Sequence, residues 1–269
     1  MITIKEYSTP KCIDEAYNLL LEKRNNVLFG GGAFIRMGSK NIFTAIDLSK
    51  SELDYIIEED KLIRIGAMTT FGDIEYSPLL KQHYNDVLSK SVSEIVGIQL
   101  RNIVTVGGTV YSRYGFSDFI TGLLALDTTV NLYKQGSIPL EEFLKKGSKE
   151  RDILESISIE KDDRKATFLS MRNSQGDYAI LNVAISVLDG KYRIAVGARP
   201  KVAVLALESM NYLNGIGKDL SPEDILEAAK IASEELAFGT NTRGSSAYRK
   251  QICYVLVKRA LKEVVGYED

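Results

Sequence analysis

The sequence predicts an α+β fold, and three patterns in its 269 residues support that prediction. Before residue 160, short apolar runs rich in β-branched residues alternate with segments in which apolar residues recur at helical spacing. Between residues 166 and 198, strand-like runs follow one another with short connections, as in an antiparallel sheet. After residue 221 the spacing becomes helical. Strands followed by helices are typical of an α+β domain.

Local signals predict the elements of the N-terminal part. Thr9 and Pro10 predict the start of a helix that runs to about Arg24, because proline is favoured at the first helical position. Thr69 or Thr70 is expected to cap a short helix. The other elements predicted from periodicity are strands over 27–29, 43–48, 61–68 and 129–133 and helices over 79–94 and 119–126.

A charged run, Glu-Lys-Asp-Asp-Arg-Lys at 160–165, marks the expected start of a C-terminal α+β domain. The predicted domains are residues 1–55, 56–162 and 163–269. In the last domain, Ser221 and Asp224 have the spacing of a capping box, so a helix is expected to begin there. A final helix should end near Gly266. The predicted strands of this domain cover 166–171, 181–188 and 192–198.

Composition excludes several classes of function. The chain has 34 Lys and Arg against 36 Asp and Glu, with no clustered basic face, so nucleic acid is not expected as a partner. Cys12 and Cys253 have neither metal nor redox spacing, which indicates reduced thiols, a cytoplasmic location and no metal site. No apolar run is long enough for a membrane span, and the N-terminus lacks an apolar signal core. His83 is the only histidine, so mechanisms built on several histidine ligands or a histidine triad are excluded.

Two stretches with adjacent glycines are the candidate binding elements. Glycines without a Cβ can adopt positive φ and direct successive N–H groups toward a phosphate. Taken alone, either stretch favours a plain tight turn, and neither is a P-loop or a dinucleotide-binding G-x-G-x-x-G motif. We name them the first glycine segment (Leu28, Phe29, Gly30, Gly31, Gly32, Ala33, Phe34, Ile35) and the second glycine segment (Thr105, Val106, Gly107, Gly108, Thr109).

An ordered set of short motifs resembles the FAD-binding medium subunit of molybdenum hydroxylases, the family of xanthine dehydrogenase and carbon monoxide dehydrogenase. The resemblance covers essentially the whole chain, and it is specific as a set rather than motif by motif. After the first glycine segment the set continues with Ile-Asp-Leu at 46–48, Ile-Gly-Ala-Met-Thr at 65–69, Leu-Arg-Asn at 100–102, Thr-Val-Gly-Gly at 105–108, Ser-Asp at 117–118, Leu-Ala-Leu-Asp at 124–127 and Val-Gly-Ala-Arg-Pro at 196–200.

The resemblance implies a fold and a cofactor. Two N-terminal α+β subdomains would clamp FAD in a PCMH-type FAD-binding fold, followed by a C-terminal domain with a small antiparallel sheet and helices. Both glycine segments would contact the FAD diphosphate and ribityl chain, and Asp118 would contact the cofactor as well. Arg172 and Tyr178 are further candidates near the flavin ring, and Tyr114 and Phe116 could stack on it or pack in the core. No catalytic residue is expected in this chain.

Two positions depart from the family pattern. The first segment usually reads Gly-Gly-Thr-Asp, whereas this chain has Ala33 and Phe34 after its glycines. The second usually ends in Asn, where this chain has Thr109. We therefore expect weaker side-chain contacts and lower FAD affinity. His83 is distant in sequence from both segments, so FAD is expected to bind non-covalently.

The resemblance implies an electron-transfer subunit. Electrons would pass from 2Fe–2S clusters on a small subunit through this FAD to NAD⁺ or another acceptor, while a large subunit on a third chain would hold the molybdopterin. With two cysteines this chain cannot supply a four-thiolate cluster. A stand-alone FAD oxidoreductase of the wider superfamily and a flavin-free interaction subunit are the alternatives.

Overall fold

A three-stranded parallel sheet opens the fold. The computed structural model describes residues 1–267. Strand β1 (Thr3–Ser8) lies at one edge, β3 (Asn41–Asp47) in the centre and β2 (Val27–Phe29) at the other edge. Helix α1 (Ile13–Glu22) joins β1 to β2 and buries Ala16 and Leu20. The central strand is the apolar one, because Ala45 and Ile46 are completely buried.

A five-stranded antiparallel sheet follows, with the order β4-β5-β8-β6-β7. Its central strand β8 pairs with β5 on one side and with β6 on the other. Ile157 and Ile159 of that strand are completely buried, as expected for a strand with neighbours on both sides. The strands are β4 (Ile56–Glu58), β5 (Leu62–Gly66), β6 (Thr129–Leu132), β7 (Gly136–Pro139) and β8 (Leu154–Glu160).

Short helices lie between the strands of this sheet along the chain. They are α2 (Phe71–Tyr76), α3 (Pro78–Gln82), α4 (Val87–Ser93), α5 (Ile98–Arg101), α6 (Val106–Ser112), α7 (Asp118–Ala125) and α8 (Leu140–Lys146). Every residue of α7 is buried, which is unusual for a helix and requires neighbours on all of its faces.

The C-terminal part contains a four-stranded antiparallel sheet, with the order β12-β11-β10-β9. Asp189 and Gly190 both have positive φ, which matches the tight hairpin between the two central strands. Helices α7 and α11 pack against the central strand β10. The elements are β9 (Lys165–Met171), β10 (Leu181–Leu188), β11 (Lys191–Gly197), β12 (Val204–Leu205), α9 (Leu207–Ile216), α10 (Pro222–Glu235) and α11 (Ser246–Val265).

The described chain divides into two compact units, each assembled from three stretches of sequence. The first unit contains residues 1–74, 97–112 and 129–160, and the second contains residues 75–96, 113–128 and 161 onward. The domain boundaries expected from the sequence, after residues 55 and 162, stay a prediction. No helix in the described part of the chain is long and apolar enough to cross a bilayer.

The predicted α+β class is confirmed, and several local predictions are wrong. The helix predicted over 79–94 is interrupted at Tyr84, Asn85 and Asp86, which all have positive φ and cannot continue a helix. The first helix begins at Ile13 rather than at Pro10, because β1 extends to Ser8 and the turn after it uses the proline. The sequence analysis missed β1, β4, β7, β8, β12, α5, α6, α8 and α9.

Candidate cofactor site

The first glycine segment is a tight turn at the end of β2. Gly31 and Gly32 have φ of +58° and +68°, as expected, whereas Gly30 does not have positive φ. The N–H of Gly32 donates to the carbonyl oxygen of Gly30 at 2.6 Å, which closes the turn. Within the described chain, the N–H groups of Gly31 and Ala33 have no hydrogen-bond acceptor. Successive unpaired N–H groups at such a turn are a suitable site for an anion.

The second glycine segment differs from the expected turn. It does not follow a strand, and Gly107 and Gly108 lie in helix α6 without positive φ. Four of its five N–H groups, those of residues 106 to 109, donate within the protein, so the expectation that these groups face a phosphate is wrong. Their acceptors are Thr69 O for Val106 (2.9 Å), Ala67 O for Gly107 (2.7 Å), Thr105 Oγ1 for Gly108 (3.2 Å) and Thr105 O for Thr109 (3.1 Å).

The fold brings the two glycine segments into direct contact within the first unit. A Cβ on Gly31 would lie only 1.5 Å from the carbonyl oxygen of Ile103, and a Cβ on Gly30 only 2.6 Å from Thr105 Oγ1. The glycines are therefore required because two stretches of backbone touch at this point. The second segment supports the first, and its Thr105 hydroxyl can still donate one hydrogen bond.

Gly107 has the same kind of role on the opposite side of the second segment. A Cβ there would lie 2.8 Å from the Cβ of Ala67 and 2.9 Å from its carbonyl oxygen. The sequence analysis named neither Ala67, which lies in the motif at 65–69, nor Ile103 as a site residue, although both touch the glycine segments. Because their contacts are made through backbone atoms and a methyl group, no polar residue type could have indicated them.

The two departures from the family pattern are buried positions. Ala33 is 7% exposed and Thr109 is 4% exposed. The side chain of Ala33 offers no hydrogen bond, so any anion contact at this residue uses its N–H group. Apart from Thr105, the other side chains of the segments are apolar: Leu28, Phe29, Phe34 and Ile35 are half-buried, and Val106 is completely buried.

Asp118 belongs to the second unit, where it begins helix α7. Its carboxylate is 4% exposed, accepts a hydrogen bond from Asn182 and pairs with Arg172 at 2.5 Å. Burial raises the pKa of Asp118, and the charge of Arg172 opposes that rise. Arg172 also donates to the carbonyl oxygen of Asp177 at 2.7 Å and pairs with Glu94 at 3.1 Å. Asp118 thereby fixes the segment from 172 to 178 against α7.

An aromatic cluster lies in the second unit. The rings of Tyr114 and Phe116 stack with centroids 5.0 Å apart, and Phe116 meets Tyr178 edge-on at 4.7 Å. Arg243 lies 5.0 Å from the centre of the Tyr178 ring. The sequence analysis singled out the three aromatic residues but missed Arg243, which is distant in sequence and lies in a polar loop without a recognisable motif.

Comparison with known proteins assigns both parts of the chain to one family. Residues 3–160 match the family model of the FAD binding domain in molybdopterin dehydrogenase. Residues 166–264 match that of the CO dehydrogenase flavoprotein C-terminal domain. The first match contains both glycine segments and Asp118, and the second contains Arg172, Tyr178 and Arg243.

Similar proteins match along nearly their full length. The glyceraldehyde dehydrogenase medium chain of Sulfolobus acidocaldarius is 26% identical, over 96% of this chain and 97% of that protein. Subunit alpha of the 6-hydroxypseudooxynicotine dehydrogenase complex of Paenarthrobacter nicotinovorans is 27% identical, over 97% and 94%. A chain of carbon monoxide dehydrogenase from Hydrogenophaga pseudoflava has the same fold, with a TM-score of 0.89, 24% identity and 99% of each chain covered.

The residues of the first unit fit the cofactor of that family. Two unpaired N–H groups and a threonine hydroxyl can neutralise a diphosphate without a lysine, and the glycines leave space for close backbone approach. FAD is the cofactor that this domain family binds, and its relatives are subunits of dehydrogenases. The chain belongs to the FAD-binding medium subunits of the molybdenum hydroxylase family, and it is an FAD-dependent oxidoreductase subunit.

Proposed function

We propose that this chain is the electron-transfer subunit of a multisubunit molybdopterin-dependent hydroxylase. Its FAD would receive electrons from 2Fe–2S clusters on a small partner subunit and pass them to NAD⁺ or another acceptor. A large partner subunit would bind the molybdopterin and oxidise the substrate. The full-length match to proteins named as a medium chain and as a complex subunit supports this proposal. The two cysteines of this chain leave iron–sulfur clusters to a partner.

The contact between the two glycine segments is the observation that carries the proposal. The N–H groups of Gly31 and Ala33 would donate to the FAD diphosphate, and the Thr105 hydroxyl would donate a third hydrogen bond. Gly107 and Gly108 would act indirectly, because they allow α6 to pack closely enough to support the first segment. Both segments, Leu28 to Ile35 and Thr105 to Thr109, therefore remain our proposed cofactor site.

Asp118 is a further candidate for contact with the cofactor, and its partners all lie within the second unit. Its carboxylate holds Arg172 and Asn182, and Arg172 holds the backbone at Asp177, next to Tyr178. An Asp118→Asn variant keeps the size of the side chain but removes its charge. If Asp118 serves the cofactor, this variant should bind FAD more weakly by more than its loss of stability explains, as titration of the apoprotein would show.

Bound FAD supplies the redox chemistry, since it exchanges electrons in single steps or in pairs. The residues of this chain bind and orient it, and none of them needs to exchange a proton with the substrate of the complex. We also propose that FAD is bound non-covalently. Acid precipitation should therefore release the flavin into the supernatant, and flavin that stays with the protein pellet would contradict this part.

The experiment that tests the function compares the isolated chain with the assembled complex. The chain is purified alone and together with the proteins encoded beside it, and flavin absorbance is followed anaerobically. Reduction of the flavin by substrate only in the complex supports the proposal. Substrate-dependent bleaching in the isolated chain would instead indicate a stand-alone oxidoreductase, and reconstituted protein without flavin absorbance would indicate an interaction subunit. Reduction of the isolated chain by NADH would identify the acceptor as NAD⁺.

A further inference from the structure

Arg151 connects two parts of the first unit that are distant in sequence. It lies in the loop between α8 and β8, and its guanidinium donates to the carbonyl oxygens of Lys23, at 2.9 Å, and of Asn26. These two residues belong to the turn between α1 and β2. Because both acceptors are backbone groups, Arg151 fixes the path of the main chain there.

The contact with Arg151 also completes the end of helix α1. Lys23 is the residue at which this helix ends, and the last turn of α1 contains no basic residue. The carbonyl groups at such an end carry partial negative charge and favour a cation. Arg151 supplies that cation from 128 residues away in the chain. Hydrogen bonds from a charged donor are stronger than neutral ones, and Arg151 is half-buried.

The other contacts between α1 and the β6–β7 region lie further from the turn. Asp14, in the first turn of α1, pairs with Lys134 at 3.8 Å and accepts a hydrogen bond from Tyr133, but its side chain is 72% exposed. Exposed pairs of this kind contribute little. The rings of Tyr17 and Tyr133 meet edge-on with centroids 5.5 Å apart. Neither contact reaches residues 23–26, where Arg151 binds.

The residue after Arg151 anchors it to the five-stranded sheet. Asp152 is buried, and its carboxylate accepts hydrogen bonds from the N–H groups of Lys134 at 3.1 Å, Gln135 at 2.8 Å and Ile153 at 2.8 Å. The N–H of Asp152 donates a long hydrogen bond, 3.4 Å, to the hydroxyl of Tyr111 in α6. The loop therefore touches the helix of the second glycine segment and also holds the turn before the first.

Asn26 transmits the position of Arg151 to strand β2. Its side chain is buried, donates to the carbonyl oxygen of Leu19 at 2.7 Å and accepts from the N–H of Thr44 at 3.1 Å. Helix α1, strand β3 and Arg151 all meet at this residue, and β2 begins at the next one. A displacement of Asn26 is therefore passed directly to β2.

Strand β2 is short, and the first glycine segment tolerates little displacement. The strand has three residues, a length of about 10 Å, and lies at the edge of its sheet. At its end, a Cβ on Gly31 would lie 1.5 Å from the carbonyl oxygen of Ile103, so the two backbones are in close contact. Binding sites lose affinity when the residues that support them allow a shift of about 1 Å.

We propose that Arg151 is a positioning residue for the cofactor site. It acts through Asn26 and β2, and it sets the first glycine segment against Ile103 and the second glycine segment. This inference rests on the proposed function, because it takes the N–H groups of Gly31 and Ala33 as the donors to the FAD diphosphate.

Titration of the full-length apoprotein with FAD measures the effect of Arg151. Arg151→Met should weaken FAD binding about tenfold, because the turn before β2 loses two charge-assisted hydrogen bonds. Arg151→Lys should recover part of the affinity, since an ammonium group can donate to one of the two carbonyl groups. Arg64→Met is the matched control: Arg64 is a half-buried arginine of the same unit that pairs with Glu59 at 3.1 Å, and this variant should stay within about twofold of wild type.

Two further readouts separate positioning from a general loss of stability. Amide hydrogen exchange of the apoprotein over residues 27–32 should be at least about fivefold faster in Arg151→Met, and unchanged over β10 in the second unit. In the Gly32→Ala background the turn is already displaced. Arg151→Met should therefore weaken FAD binding less there than in the wild-type chain, because the two changes act on the same contacts.

The outcomes distinguish this inference from the proposed function. Unchanged FAD affinity in Arg151→Met, with a wild-type chain that binds FAD, would overturn the role of Arg151 and leave the proposed function intact. Losses that multiply in the double variant would also refute that role, because they would show that Arg151 acts independently of the turn. A wild-type chain that binds no FAD would overturn both. If Arg151→Met does not fold, Arg151→Lys carries the same comparison with a smaller expected loss.

Discussion

Replacing Gly31 by alanine tests whether the close packing of the first glycine segment against Ile103 creates the FAD site. The new Cβ would lie 1.5 Å from the carbonyl oxygen of Ile103, and ordinary contacts of this kind begin at 3.4 Å. One of the two backbones must therefore move by about 2 Å, since a carbonyl group cannot rotate away as a flexible side chain can. The φ of +58° adds a further ~1 kcal/mol of strain for any residue with a Cβ.

The expected loss of FAD affinity follows from that displacement. A hydrogen bond to a charged group contributes about 1.5–3 kcal/mol, and a shift of about 2 Å breaks one with a length near 2.9 Å. If the N–H groups of Gly31 and Ala33 both lose their phosphate contacts, the loss is about 3–6 kcal/mol. Gly31→Ala should therefore bind FAD roughly 10² to 10⁴ times more weakly.

Titration of apoprotein with FAD, followed by the quenching of flavin fluorescence, measures this loss. Gly136→Ala is the matched control, because Gly136 has φ of +74° but nothing within 4 Å of a new Cβ. It should lose about 1 kcal/mol of stability and keep its FAD affinity. Gly32→Ala, with a Cβ 3.3 Å from the ring of Phe29, should be intermediate in FAD affinity.

Wild-type FAD affinity in Gly31→Ala would refute the reasoning, because it would show that the diphosphate does not use this turn. A folded Gly32→Ala variant with reduced affinity keeps the test decisive if Gly31→Ala does not fold. Thermal unfolding of each apoprotein separates the loss of stability from the loss of binding.

Three further predictions concern the second unit and the thiols. Arg249→Met should lower the free energy of unfolding by about 3–5 kcal/mol in urea titrations, because it leaves the carbonyl groups of Ile180 and Gly239 without a donor, and Arg249→Lys should recover part of the loss. Burial raises the pKa of Cys253 from 9.0 to about 12, so between these pH values only the unfolded state releases the thiol proton. The free energy of unfolding should therefore fall by roughly 1.4 kcal/mol per pH unit in this window, and Cys253→Ala should remove that slope. A thiol reagent at neutral pH should modify the exposed Cys12 in the folded protein and both cysteines after unfolding, and rapid labelling of both in the folded state would contradict the structure.

The sequence predicts the fold best where local signals and burial agree. The capping box at Ser221 and Asp224 is confirmed, with both reciprocal hydrogen bonds, and the apolar run after Ser117 is the buried helix α7. Strand β1 could not be predicted in the same way, because it is exposed along nearly its whole length and lacks an apolar alternation. Its stability comes from parallel pairing with β3, which is distant in sequence.

The positions of the backbone constraints could be read from the sequence, whereas their geometry could not. Adjacent glycines indicated a backbone constraint at both segments, and close contacts confirm one at Gly31 and Gly107. The sequence could not show that one constraint is a positive φ and the other a close approach in a helix, because glycine satisfies both. The partners of these glycines, Ile103 and Ala67, are determined only by tertiary packing.

The complete burial of α7 constrains how the two stretches that match the family models, residues 3–160 and 166–264, can evolve. This helix lies within the stretch that matches the FAD binding domain, yet it packs against β10 and β11, which lie in the stretch that matches the C-terminal domain. A fragment that ends at residue 160 would expose Phe119, Ile120 and Leu123 to water. Recombination that exchanged one stretch without the other would need compensating changes on α7, so the two stretches are expected to evolve as a pair.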